Sequence, residues 1–225
     1  TEEKWIRISL FNSSSEEVTY SLPARQVANG VVDSFIHVVE QYLTYPVNAK
    51  VQDAFSEGLM RVIHEEGLKV LDNPNDYDIR ANLMWAATNA LNVWIGQGVP
   101  QDWSSHRMGY SLTAQFGLDH AQTLAILLPG VMTYMFKEKQ AKLARMGEVV
   151  FGITDGTEEE RARKTIAACE DFFRRMGLKT HLGECGITEK DLDALAAPVD
   201  KQGWKLGEHH NIDSRVAREI MALRL

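Results

Sequence analysis

Four side chains in two separate stretches carry the chemistry that this sequence offers. VVDSFIHVVEQY puts Asp33 and His37 at i,i+4, one above the other on a single helical face. Downstream, Trp103 to Pro129 reads WSSHRMGYSLTAQFGLDHAQTLAILLP and holds His106 and His120 in an apolar segment broken only at Phe116-Gly117. An apolar helix that spends two positions on imidazoles either satisfies them with hydrogen bonds or uses them as ligands. Alone, an i,i+4 Asp/His pair is more often a surface or capping pair than a ligand pair. Together, one carboxylate and three imidazoles suit a divalent transition metal with an open coordination position. Fe²⁺ and Zn²⁺ both accept this donor set, and ligand softness does not choose between them. The imidazoles bind as neutral rings, so affinity is expected to fall toward about pH 6. An ion held this way acts as a Lewis acid on a carbonyl or alcohol oxygen.

Other residues have two readings each. Glu40, one turn after His37, is either an acceptor for an imidazole N–H or a solvated or structural acid. Asp119 reads as a helix cap rather than a ligand. His64, among acidic residues in RVIHEEG, reads as surface, and His181 as structural. Trp85, Trp94 and Trp103 read as core, with Trp103 close enough to His106 to line a pocket. Met84, Met108 and Met132 read as core fill.

GVVDSFIHVVEQY, VPQDWSSHRMGYSLTA and FGLDHAQTLAILLP resemble successive signatures of the iron-containing, group III alcohol dehydrogenases. The similarity is greatest to their NADPH-dependent aldehyde reductase and butanol dehydrogenase branch. LPARQVANG, YDIRANLMWAATNALN and LGEHHNID frame these signatures, so the resemblance runs from about Val18 to the C-terminus. It covers the second half of the family's usual length. The resemblance implies Asp33, His37, His106 and His120 as metal ligands and a small aldehyde or alcohol as substrate. It also implies hydride transfer from NADPH without a change in the metal's oxidation state. Tandem imidazoles bind metals readily, but in this family the stretch matching His209-His210 supplies no ligand. Many members carry further histidines where this chain has Tyr110 and Phe116. The Tyr110 hydroxyl is then the proton donor at that position, and a phenol is a poorer shuttle at neutral pH than an imidazole.

The family's Gly-rich nucleotide-binding turn belongs to its other half. Gly96 and Gly98 come nearest to one here, but they follow a helical stretch and precede Pro100. This polypeptide alone is therefore expected to bind NADPH weakly or not at all. It is expected to form a homo-oligomer or to need a nucleotide-binding half, and to expose an apolar face where that half docks. The start at Thr1 rather than Met is what a processed, truncated or partial chain is expected to show. Two other functions compete with the dehydrogenase. A non-catalytic helical interaction domain would keep the metal as a staple. A helical metal-dependent phosphohydrolase would need an adjacent His-Asp, where this chain has Asp119-His120.

The elements that must position these residues are helical. Pro23 suits a first helical turn, Gly30 is expected to break or bend that helix, and Pro46 to stop it. Val51, Ala54, Phe55, Leu59 and Val62 form the stripe of a second helix. Asp78 caps a third, which buries Ile79, Leu83, Ala86, Ala87, Ala90 and Trp94. Asp119 is the N-cap of a helix starting at His120, and Thr157 with Glu160 makes a capping box. TEKDLDAL and the residues after Asp213 add shorter helices. Residues 1–22 differ, with WIRISLF and VTYSL reading as two extended pieces around NSSSEE. The fold class is mainly α, a helical bundle like the C-terminal domain of dehydroquinate synthase-like enzymes. An extended arm or hairpin spans 1–22 and the metal-binding domain spans 23–225.

Composition bounds the partners. A net charge of −7 argues against nucleic acid. The longest apolar run, Leu124 to Met132, is about half a membrane span, and no signal peptide is visible. Two cysteines, Cys169 and Cys185, make no disulfide framework, which fits a cytoplasmic protein.

Overall fold

The computed structural model describes residues 16–225. Helix α1 spans Ala24–Tyr42, α2 Lys50–Val70, α3 Tyr77–Ala90, α4 Ser104–Phe116 and α5 His120–Tyr134. They are followed by α6 Phe136–Phe151, α7 Glu158–Arg175, α8 Leu192–Ala196, α9 Pro198–Lys201 and α10 Ser214–Ala222. Among the described residues the one extended feature is an isolated bridge between Leu206 and Ile212. The chain is thus mainly α, as its periodicity implies. VTYSL departs from expectation, because Glu16–Ser21 is a 3-10 helix that packs on α3. WIRISLF lies outside the described residues.

Helix α1 starts directly after Pro23 and runs through Gly30 without a break. Gly30 sits on the outer face, where a Cβ would meet nothing. A mid-helix glycine costs about 1 kcal/mol, and burial of Val27, Val31, Val32 and Phe35 around it offsets that. The uninterrupted helix carries Asp33 and His37 on one face and ends at Tyr42, short of Pro46.

Two expected faces are rotated. On α2 the buried residues are Ser56, Met60, Ile63, Gly67 and Val70, while Val51 and Phe55 are exposed. The helix has apolar residues on two sides, and α1 covers the side where small residues permit close approach. A Cβ on Gly67 would meet Val31 Cγ1 at 2.5 Å. On α3 the cap is Asp76, which accepts from the Ile79 N–H at 3.0 Å, and not Asp78. That helix ends at Ala90, so Trp94 falls in the following turns and is 51% exposed. Ala87 and Trp85 are exposed as well. His64 is half-buried and packs edge-on against Phe151 and Phe172, both at 5.0 Å, rather than lying on the surface.

Between Thr123 and Met132, helix α5 is buried on every side, and its residues there are almost all apolar. Ala121, Leu124, Ala125, Leu128 and Met132 join the core formed with α1 to α3, α6 and α7. Ile126, Leu127, Val131 and Met135 join a second core with α4, α8 and α10. Gly117, left-handed at φ 65°, ends α4 and turns the chain into α5. Thr157 and Glu160 form the expected capping box at the start of α7. No helix among the described residues is long and apolar enough to cross a membrane, and Cys169 and Cys185 are unpaired.

Candidate metal centre

The α4–α5 hairpin lies across α1, which brings the two stretches of potential ligands together. His106 is in the first turn of α4, and His120 is the first residue of α5. One atom from each of Asp33, His37, His106 and His120 falls in a group within 4.8 Å of one another. Asp33 Oδ1 is 3.5 Å from His37 Nε2, 3.5 Å from His120 Nε2 and 3.8 Å from His106 Nε2. His37 Nε2 and His106 Nε2 are 3.2 Å apart. Four ligands about 2.1 Å from one ion in a tetrahedron stand roughly 3.4 Å from each other. Asp33 Oδ1 is buried with no hydrogen-bond partner among the described residues. Left so it would be costly, and a cation would satisfy it. Donor types, spacing and the unpartnered oxygen all fit a divalent ion.

Glu40 resolves in favour of the acceptor. It is only 3% exposed, and Oε2 makes a short contact with His106 Nδ1. Its Oε1 accepts from the Ser105 N–H at 2.7 Å. With a proton on Nδ1 held toward Glu40, the His106 Nε2 faces Asp33 and His37. Burial pushes the Glu40 carboxyl above the usual carboxylate range. Burial also works against a charged His106, but the nearby Asp33 and Glu40 carboxylates outweigh it and raise its pKa to about 9. His37 goes the other way, down to about 4, chiefly through burial. Burial likewise lowers His120. Burial raises Asp33, but the surrounding imidazoles outweigh it and leave its carboxyl below its ordinary value.

The His120 side is more open. Asp119 occupies the N-cap position of α5, yet its side chain caps nothing. Instead it accepts from Arg25 Nε at 2.7 Å and Nη2 at 2.5 Å, and from Asn29 Nδ2 at 2.9 Å. An open cleft lined by Gln26, Asn29, Gly30, Asp33, Asp119 and His120 leads to the ligands. Trp103 packs edge-on against His37 and His106, at 5.5 and 5.2 Å. Tyr110 is exposed and stacks 6.3 Å from His120. Phe116 is at the exposed end of α4. His181 is tied to Arg174 and Thr180, away from this site.

His209 stacks on Tyr45 at 4.9 Å and lies near Glu138 and Glu208, but Glu208 is already held by Lys139 and the Tyr45 N–H. Asp102, Lys139, Arg25 and Asn29 were not singled out by sequence reasoning. Asp102 carried a signal, since Asp-x-Ser before a helix favours capping. Lys139 carried none, because KEKQAK looks like any solvated charge run.

The sequence and the fold are matched by known proteins. The profile of the Fe-containing alcohol dehydrogenase family, C-terminal, covers residues 27–221, and the chain belongs to that family. It is 51% identical over 203 residues to the NADPH-dependent aldehyde reductase YqhD of Escherichia coli. That match covers 90% of this chain and 52% of the relative. It is 40% identical over 204 residues to NADP-dependent alcohol dehydrogenase 3 of Entamoeba histolytica, covering 90% of this chain and 51% of that protein. The crystal structure of substrate- and cofactor-free YqhD superposes with a TM-score of 0.91 at 49% identity, over 93% of this chain and 56% of that one. A butanol dehydrogenase from Thermotoga maritima gives 0.86 at 30% identity, over 93% and 55%. The chain spans about half the length of the curated relatives it matches.

Proposed function

We propose that Asp33, His37, His106 and His120 hold one divalent metal ion. The chain would then be the carbonyl-polarising part of an NAD(P)H-dependent alcohol dehydrogenase acting on small aldehydes. The observation that carries this reading is the convergence of the four ligand atoms around the unpartnered Asp33 Oδ1. The bound ion would supply Lewis-acid polarisation of the substrate oxygen. Asp33 brings the anionic ligand, and Glu40 keeps the His106 Nδ1 proton so that Nε2 can bind. Trp103 packs edge-on against His37 and His106 and would limit their ring motion. Tyr110, whose ring stacks on that of His120, would offer its hydroxyl as the proton donor for the reduced product. The free Cys169 and Cys185 support a reducing, cytoplasmic setting as part of this reading.

Nicotinamide binding is assigned to a nucleotide-binding half. Among the described residues no strand precedes Gly96 and Gly98, and a pyrophosphate site of that kind needs a strand–turn–helix. The test has two arms. Metal analysis of the chain is expected to give one ion per chain, lost in an Asp33→Ala variant. Titration with NADPH, followed by fluorescence, is expected to show no saturable binding to the metal-loaded chain. Aldehyde-dependent NADPH oxidation is expected only when a nucleotide-binding half is present. A metal-loaded chain that supports no oxidation even then would be a metal-stapled interaction domain. In the active assembly, Tyr110→His should add an ionisation near about pH 6–7 to the rate profile. An unchanged profile would remove Tyr110 from proton transfer.

A further inference from the structure

Buried charge continues past Glu40 to a residue that touches no ligand. Lys139, on α6, is buried together with the acidic side chains of Asp102 and Glu208. Its Nζ lies 3.0 Å from Asp102 Oδ2 and 3.2 Å from Glu208 Oε1, and donates to the Leu43 carbonyl at 2.5 Å. Asp102 is the link to the site. Its N–H donates to the Glu40 carbonyl at 2.9 Å, and its Oδ1 accepts from the Ser104 N–H at 3.0 Å and from the Ser104 hydroxyl. The next N–H, that of Ser105, is held by the Glu40 carboxylate, and the residue after it is His106.

A lysine is seldom buried unless paired. Burial opposes the Lys139 charge, but Asp102 and Glu208 outweigh it and leave its pKa above that of an ordinary lysine. Take the ammonium away and two buried carboxylates face each other with nothing to compensate them. The element that would move is the start of α4, where backbone N–H groups, Asp102 and Glu40 are all interlocked.

We propose that Lys139 is a positioning residue for the metal centre. By pinning Asp102 to the end of α1 and to Glu208, it fixes the start of α4 and thereby the direction of the His106 Nε2. The proposal rests on the metal-centre reading above. A built-in control lies one helical turn away. Lys142 donates to the Tyr42 carbonyl at 2.9 Å and to Asp53 at 2.7 Å, so it ties α6 to the same region without touching Asp102 or Glu208.

The experiment is Zn²⁺ affinity of the full chain by chelator competition, at a temperature where circular dichroism shows every variant folded. Lys139→Met is expected to weaken binding by about 10- to 100-fold, the usual effect of losing outer support for a ligand. Lys142→Met should leave affinity unchanged although it also loses an ion pair. If Lys139→Met does not fold, Asp102→Asn decides, because it keeps the Ser104 contacts and gives up the ion pair. Its affinity should fall as well. Unchanged affinity in the folded Lys139 or Asp102 variant overturns the proposal, and so does an equal loss in Lys142→Met, which would mean general loosening. If the unaltered chain binds no Zn²⁺, the metal-centre reading falls and the proposal with it. Tight binding that ignores the substitutions sinks the proposal alone.

Discussion

His106 and His120 reach the same point from different helices, and the chain supports them by different means. The His106 side chain is 8% exposed and rests on Glu40, itself locked by Ser105 and, through Asp102, by Lys139. The His120 side chain is 40% exposed, and its neighbour Asp119 is held by Arg25, which is 76% exposed. Buried support is expensive, since every charge must be matched, and breaking one member is strongly destabilising. Surface support costs little and contributes little. Under the proposed metal-centre reading, the buried side would hold its ligand rigidly, and the exposed side would leave the open cleft as an approach for substrate.

The largest effect should separate the two histidines in the metal-free chain. His106→Ala leaves the buried Glu40 without its partner and should cost about 3–5 kcal/mol in urea unfolding. His120→Ala should abolish metal binding just as fully but cost far less stability. Equal costs would break the comparison. Glu40→Gln comes next, keeping the size of the acceptor and removing its charge. It should weaken Zn²⁺ binding by about 10- to 100-fold, measured by chelator competition, with little change in the His120 side.

The pH dependence sharpens the same contrast. His106, with a pKa of about 9, is protonated in the metal-free chain at neutral pH and must shed that proton to bind. Zn²⁺ affinity should therefore rise by roughly tenfold per pH unit up to about pH 9 and then level off. This window lies higher than the ordinary imidazole range read from the sequence. Stability of the metal-free chain has two opposed arms, because an unfolded imidazole titrates near about 6.5. His37, depressed to about 4, costs stability as pH falls from about 6.5 toward 4, where the unfolded state binds the extra proton. His106, raised to about 9, contributes stability below about 6.5 that is lost as pH rises toward 9. Glu40 shares that proton and acts in the same direction as His106. Denaturant midpoints across this range should peak near about pH 6.5, and a monotonic rise to pH 9 would show that Glu40 does not hold the His106 proton. The smallest effect belongs to the exposed wall. Arg25→Ala should change stability by no more than roughly 1 kcal/mol and weaken Zn²⁺ binding less than Glu40→Gln does. A loss as large as that of Glu40→Gln would mean the surface latch positions its ligand as firmly as the buried one.

What the sequence determined by itself was local. The i,i+4 spacing of Asp33 and His37 sets them on one helical face whatever else the chain does. Gly117 before the His120 helix and the Thr157–Glu160 box are likewise short-range signals, and each appears where the spacing put it. The tertiary structure decided which faces are covered. Helix α2 carries apolar residues on two sides, and only the approach of α1 over Gly67 chooses Met60 and Ile63 over Val51 and Phe55. It also decided which charges matter. In the sequence Glu40 has two readings, Lys139 looks like any charged helix residue, and Asp119 reads as a cap. Their roles depend on partners 66, 69 and 94 positions away, namely His106, Glu208 and Arg25. Periodicity fixes what shares a face, but burial and pairing are properties of two faces meeting, and the chain reveals them only once folded.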